Sequence, residues 1–102
     1  MPLYSNMYQQ ISDVDCGVGK TIIQLKTIFD YAPVSRSQAK FVCNRLDKFA
    51  EVILDFAGLD WMGQAFAHQL FVVYQNEHPK IELKPINMSE TVRKMYLHVK
   101  NT

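Results

Sequence analysis

The 102-residue chain alternates between two hydrophobic periods. From Thr21, the apolar residues Ile23, Leu25 and Phe29 are interleaved with Gln24, Lys26 and Asp30. A two-residue period of this kind predicts a strand with one buried face. Tyr31 to Val34 holds Pro33 and reads as a connector. Ser35 and Gln38 then have capping-box spacing, and Ala39, Val42, Cys43, Leu46 and Phe49 form one helical stripe behind them. The run Val52-Ile53-Leu54-Asp55-Phe56 is nearly continuous in apolar character, which predicts a central strand covered on both faces. Gly58 and Gly63 bracket a loop, and Gln64 to Glu77 predicts a second helix closed by His78-Pro79. Ile81 and Leu83 alternate with Glu82 and Lys84 before Pro85, which marks an edge or the end of a strand. Asn87 and Glu90 repeat the capping-box spacing ahead of a last helix with Met88, Val92, Met95, Tyr96 and Val99 inward. Near the N-terminus, Leu3, Tyr4, Met7, Tyr8 and Ile11 suit a strand with imperfect alternation, and Asp13 to Gly19 reads as a turn.

The predicted order is β-β-α-β-α-β-α, with residues 51–86 forming a parallel β-α-β unit of right-handed crossover. This is a mixed α/β fold: a small mixed sheet with helices mainly on one face. At 102 residues the chain makes one domain over 1–102, with residues 1–20 an N-terminal extension or an extra strand.

Composition narrows function mostly by exclusion. Apolar residues are 48% and charged residues 21%, as in ordinary globular proteins. The net charge of +1 gives no global field for nucleic acid or an anionic membrane. No apolar run nears the roughly 20 residues of a bilayer span, and Met1-Pro2-Leu3-Tyr4-Ser5 lacks a signal-peptide layout. Cys16 and Cys43 form no CxxC pair and read as reduced thiols in a cytoplasmic protein, with an accidental disulfide as the minor alternative.

The chemical motifs are weak. Gly17-Val18-Gly19-Lys20-Thr21 resembles the end of a phosphate loop, but Val14 stands where that motif needs glycine, and a strand follows instead of a helix. A nucleotide-binding enzyme using this turn is therefore a minor alternative. His68, His78 and His98 have no ligand-spaced partners, so no metal and no cofactor is expected. No hydroxyl or thiol sits in a nucleophile motif, and no catalytic residue is assigned.

The helix faces and one loop carry more. Phe41 projects away from the apolar stripe of its helix, among Arg36, Lys40, Arg45 and Lys48. That pattern is either a solvated basic face with one stray Phe or a docking surface with Phe41 and Arg45 as contacts. On the second helix Gln64, His68 and Gln75 share a polar stripe flanked by Phe71 and Val72, which implies deep burial or a partner over its rim. Trp61 and Met62 lie in the short loop before that helix. Trp61 either caps the end of the sheet or serves as a binding anchor. The expected partner-binding set is thus Trp61, Met62, Gln64, His68, Phe71, Phe41 and Arg45. A homodimer through the same patches is a further expectation, and nucleic acid is disfavoured by the near-neutral charge.

Three segments together resemble a bacterial family of STAS-like domains. They are Val34-Ser35-Arg36-Ser37-Gln38-Ala39-Lys40, Val52 through Leu59, and Met62-Gly63-Gln64-Ala65-Phe66-Ala67. The likeness continues through His78-Pro79, Ile86-Asn87 and the Val92 to Met95 helix, over roughly residues 31–99. The resemblance implies the fold of anti-sigma-factor antagonists and a non-catalytic regulatory or adaptor role by protein–protein contact. It implies as partner a histidine-kinase-type ATPase or another regulator. In antagonists a serine at a helix start is phosphorylated. Gln64 stands at about that place and Gly63 at that of the neighbouring aspartate, so the phosphoswitch does not carry over. A small phage or mobile-element inhibitor acting by surface occlusion is the alternative reading.

Overall fold

A computed structural model describes residues 19–101. The N-terminal strand and turn expected before Gly19, and Cys16, lie outside the described residues. Three five-residue strands, β1 (Lys20–Gln24), β2 (Glu51–Asp55) and β3 (Glu82–Ile86), form a sheet in the order β1-β2-β3. Both pairings are parallel, with Ile22 opposite Ile53 and Ile53 opposite Lys84. The helices are α1 (Leu25–Ile28), α2 (Arg36–Cys43), α3 (Gln64–His68), α4 (Gln75–Glu77) and α5 (Glu90–Lys100). A π-helical stretch, Gln69–Tyr74, joins α3 to α4 without a break.

β2 is central, as its apolar run implies, but its burial alternates. Val52 and Leu54 are buried, whereas Glu51, Ile53 and Asp55 are half-buried. Among the described residues the helices therefore lie on one face, not two. Val52, Leu54 and Phe56 meet Val42, Leu46, Phe66, Leu70 and Val92 in one core. On the opposite face Ile22 and Ile86 are exposed, and Lys84 Nζ lies 2.9 Å from Glu51 with Lys20 Nζ at 3.8 Å.

Local differences from the sequence reading have local causes. The strand predicted over residues 21–30 stops at Gln24, and one helical turn follows. Leu25 and Phe29 fit a period of two, but they are also four apart, and Phe29 N–H donates to Leu25 O at 3.0 Å. The Ser35/Gln38 capping box forms, with Gln38 N–H to Ser35 Oγ at 3.1 Å and Ser35 N–H to Gln38 Oε1 at 2.9 Å. The α-helix behind it ends at Cys43, and tighter turns carry Leu46 and Phe49 inward. The second capping box does not form. Asn87 has φ 57° and its amide donates to Asp55 Oδ1 at 3.0 Å, so Ser89 becomes the N-cap of α5 and accepts from Val92 N–H.

Candidate functional site

Parallel strands send every following loop to one end of the sheet. Here those loops are residues 25–35 after β1, 56–63 after β2 and 87–89 after β3. Such a carboxyl-end rim is the usual place for a site in open α/β sheets. Asp55, the last residue of β2, accepts from Ala57 N–H at 2.9 Å and from the Asn87 amide, joining two loops. Ser89 Oγ donates to Asp60 O at 3.1 Å. The first two loops are tied more closely. Gly63 N–H donates to Pro33 O at 2.9 Å, and Phe66 N–H donates to Val34 O at 3.2 Å. These carbonyls satisfy two of the free N–H groups that open α3.

The close approach depends on Gly63. A Cβ built there would meet Val34 Cα at 2.8 Å and Val34 O at 3.0 Å. Its φ of −78° is ordinary, so glycine serves space here, not backbone conformation. The tied loops present large apolar side chains to solvent: Trp61 is 44% exposed, Val34 46% and Tyr31 85%. Tyr31 and Val34 add to this rim two exposed side chains that the sequence reading, which named Trp61, Met62 and Gln64 here, did not include. The connector around Pro33 was the available signal, because an X-Pro turn holds its neighbours out from regular structure.

The predicted binding residues separate into three groups. Trp61 and Gln64 are exposed at the rim, and His68 is half-exposed one turn into α3. Met62 and Phe71 are buried, which corrects their assignment to a partner surface. Met62 turns into the core beneath the loop, and the Phe71 ring packs edge-on against Tyr96 at 4.7 Å and near Phe56 at 6.2 Å. The π-helical turn shifts the phase of the helix at this point, so the polar stripe drawn at a uniform period breaks up: Gln64 is exposed and His68 half-exposed, whereas Gln75 bonds inward to Ile81 O at 2.6 Å. Phe41 and Arg45 form a separate exposed pair on α2 and the turn after it, with the Arg45 guanidinium 4.8 Å from the centre of the Phe41 ring.

A second polar cluster sits at the other end of the strands, where α2 and α4 lead into β2 and β3. Tyr74 OH donates to Asp47 Oδ1 at 2.9 Å, and its ring stacks on His78 at 4.2 Å. Burial pushes the Tyr74 hydroxyl well above its ordinary range, and the bond to Asp47 adds to the effect. Burial likewise pushes the nearby Cys43 thiol up to about 12, helped by Asp47 and Glu77. Such a thiol is a packing group, not a nucleophile. Among the described residues no group of His, Cys, Asp and Glu is arranged to hold a metal ion, and no helix is long and apolar enough to cross a membrane.

No curated protein and no solved structure matches the chain. The model of one family, described as a STAS-like domain of unknown function (DUF4325), matches residues 38–93. That span runs from the first turns of α2 through the whole β2–β3 unit into α5, and it includes Trp61 and the start of α3. With more than half of its length matched, and with the parallel sheet and helix layer in place, the chain belongs to the STAS-like domain family of unknown function.

Proposed function

We propose that this STAS-like domain is a non-catalytic regulatory or adaptor module of the cytoplasm that works by docking another protein at the carboxyl-end rim of its sheet. The observation that carries this reading is the exposure of Trp61, Val34 and Tyr31 on two loops tied by backbone hydrogen bonds. Leaving three large apolar side chains in water on a fixed surface sacrifices hydrophobic free energy, and a partner that covers them recovers it. Tryptophan is also a common hot-spot residue, with large contact area and few rotatable bonds. Two rim residues favour binding over chemistry. Asp55 is held by two donors, and Gln64 offers no hydroxyl at the helix start. Lys20 opens a strand and lies 3.8 Å from Glu51, which supports reading the glycine turn before it without a phosphate role.

The partner class that the family resemblance implies is a histidine-kinase-type ATPase. The test is affinity capture of the full chain from its native host, followed by a binding isotherm with the purified partner. Trp61→Ala should weaken that isotherm while leaving the melting temperature within a few degrees. A folded Trp61→Ala protein with an unchanged isotherm would refute the assignment.

A further inference from the structure

We infer that α2, together with the turn after it, is a second docking surface that takes an acidic segment of a protein partner. Arg36, Lys40, Arg45 and Lys48 are all exposed along residues 36–48, where Asp47 is the single carboxylate. The rest of the chain holds seven basic against nine acidic side chains, so the positive charge is local to this element. Asp47 is already engaged by the Tyr74 hydroxyl on the far side of the turn. None of the four cations takes part in an ion pair among the described residues, as is also true of Lys26, Lys80, Arg93 and Lys100, but only here do four such cations share one short segment with a single carboxylate.

In their midst Phe41 is 49% exposed and Arg45 lies over its ring. A guanidinium held on an aromatic face keeps its N–H edge available for a carboxylate, with part of its rotamer entropy already lost. The pair is thus pre-organised for a carboxylate set beside an apolar or aromatic side chain. The geometry favours protein over nucleic acid. Single-stranded nucleic acid stacks its bases on open aromatic faces along an extended basic groove. Here the one exposed ring is partly covered by Arg45, and α2 has only eight residues. This surface shares no residue with the Trp61 rim, and it rests on the proposed binding role only in that both are protein contacts.

The test titrates the isotopically labelled full chain with a random copolymer of glutamate and tyrosine, following backbone amide resonances. Oligothymidylate and phosphatidylserine vesicles serve as parallel probes. The expected result is saturable shifts confined to residues 36–48, weakened by added salt. Arg45→Glu and Phe41→Ala should each weaken the copolymer affinity by about tenfold or more, and Trp61→Ala should leave it unchanged. If the spectrum of Arg45→Glu shows loss of fold, Lys48→Glu takes its place. Absence of shifts, shifts centred elsewhere, an unaffected Arg45→Glu, or loss on Trp61→Ala would each overturn the inference. So would oligothymidylate or vesicles shifting the same amides as strongly as the copolymer. Failure of the Trp61 rim to bind a partner would leave this result standing.

Discussion

Gly63→Ala tests how the rim is built. The added Cβ would lie 2.8 Å from Val34 Cα, 3.0 Å from Val34 Cβ and 3.0 Å from Val34 O. Carbon atoms pack best at about 3.5–4.0 Å, so the two loops must separate by roughly 0.7–1 Å. Backbone atoms are involved on both sides, and no flexible side-chain end can yield instead. The separation stretches the bonds from Gly63 N–H to Pro33 O and from Phe66 N–H to Val34 O, now 2.9 and 3.2 Å. Weakening both costs about 1–2 kcal/mol, and overpacking adds about 1–3 kcal/mol. Alanine also restricts the unfolded chain, which returns about 0.4–1 kcal/mol. The net destabilisation is about 1–4.6 kcal/mol, and each kcal/mol lowers the melting temperature by roughly 4–8 °C. Trp61 is the only tryptophan in the chain and lies two residues from the change, so its emission reports the loop directly. Chemical denaturation followed by Trp61 emission should show a lower midpoint and an altered native spectrum. Gly58→Ala is the control. Its φ of 87° strains an alanine, but the new Cβ faces the flexible Lys26 side chain, so the native Trp61 spectrum should hold. A Gly63→Ala protein within about 0.5 kcal/mol of wild type, with an unchanged spectrum, would refute the close-approach argument.

Three further outcomes follow from the fold. Leu54→Ala empties a fully buried site on the central strand and should cost about 2–5 kcal/mol in denaturant titration; a loss under about 1 kcal/mol would remove β2 from the centre of the core. The Glu51 carboxyl is held below its usual range, first by its hydrogen bond from Lys84 and then by Lys20, so its contribution is present above the ordinary glutamate pKa of about 4.3 and is lost as pH falls through the lowered value. Lys84 is raised in turn by Glu51, and that contribution is lost only as pH rises through its raised value; the gap in melting temperature between wild type and Glu51→Gln should therefore close on acidification and persist near neutrality, and a gap that does not change with pH would contradict the pairing. The Cys43 thiol, with its pKa near 12, should resist alkylation at pH 8 in a Cys16→Ser background until the protein unfolds, as mass spectrometry with and without denaturant would show; rapid native labelling would contradict its burial.

Much of the fold was legible in the sequence because several local signals agreed. The Ser35/Gln38 pair and the stripe from Ala39 to Leu46 describe what the structure contains, and the apolar run of β2 gives its central place though not its single covered face, because Ile53 is only half-buried between Ile22 and Lys84. The failures share a cause: a short segment satisfied two periods at once, or tertiary contacts chose between them. Leu25 and Phe29 fitted strand and helix equally, and packing selected the helical turn. A π-helical turn has no single-residue signature, so the phase after Gln69 could not be read. Asn87 adopted a left-handed conformation to reach Asp55, which moved the cap of α5 by two residues. At the site, loop exposure is the part that pattern cannot give. Trp61 and Met62 are adjacent and similarly apolar, yet one faces water and the other the core. Val34 and Tyr31 join Trp61 only through a contact between loops about thirty residues apart in the chain.

The central claim, docking at the Trp61 rim, is tested most directly by Trp61 emission during titration with the partner recovered from the native host. Burial of a half-exposed indole in an interface should shift its emission to the blue, saturably, at the same midpoint as binding measured by calorimetry. A Trp61→Phe protein keeps the fold and reports any contribution from tryptophans of the partner. Saturable binding with Trp61 emission unchanged throughout would contradict the account.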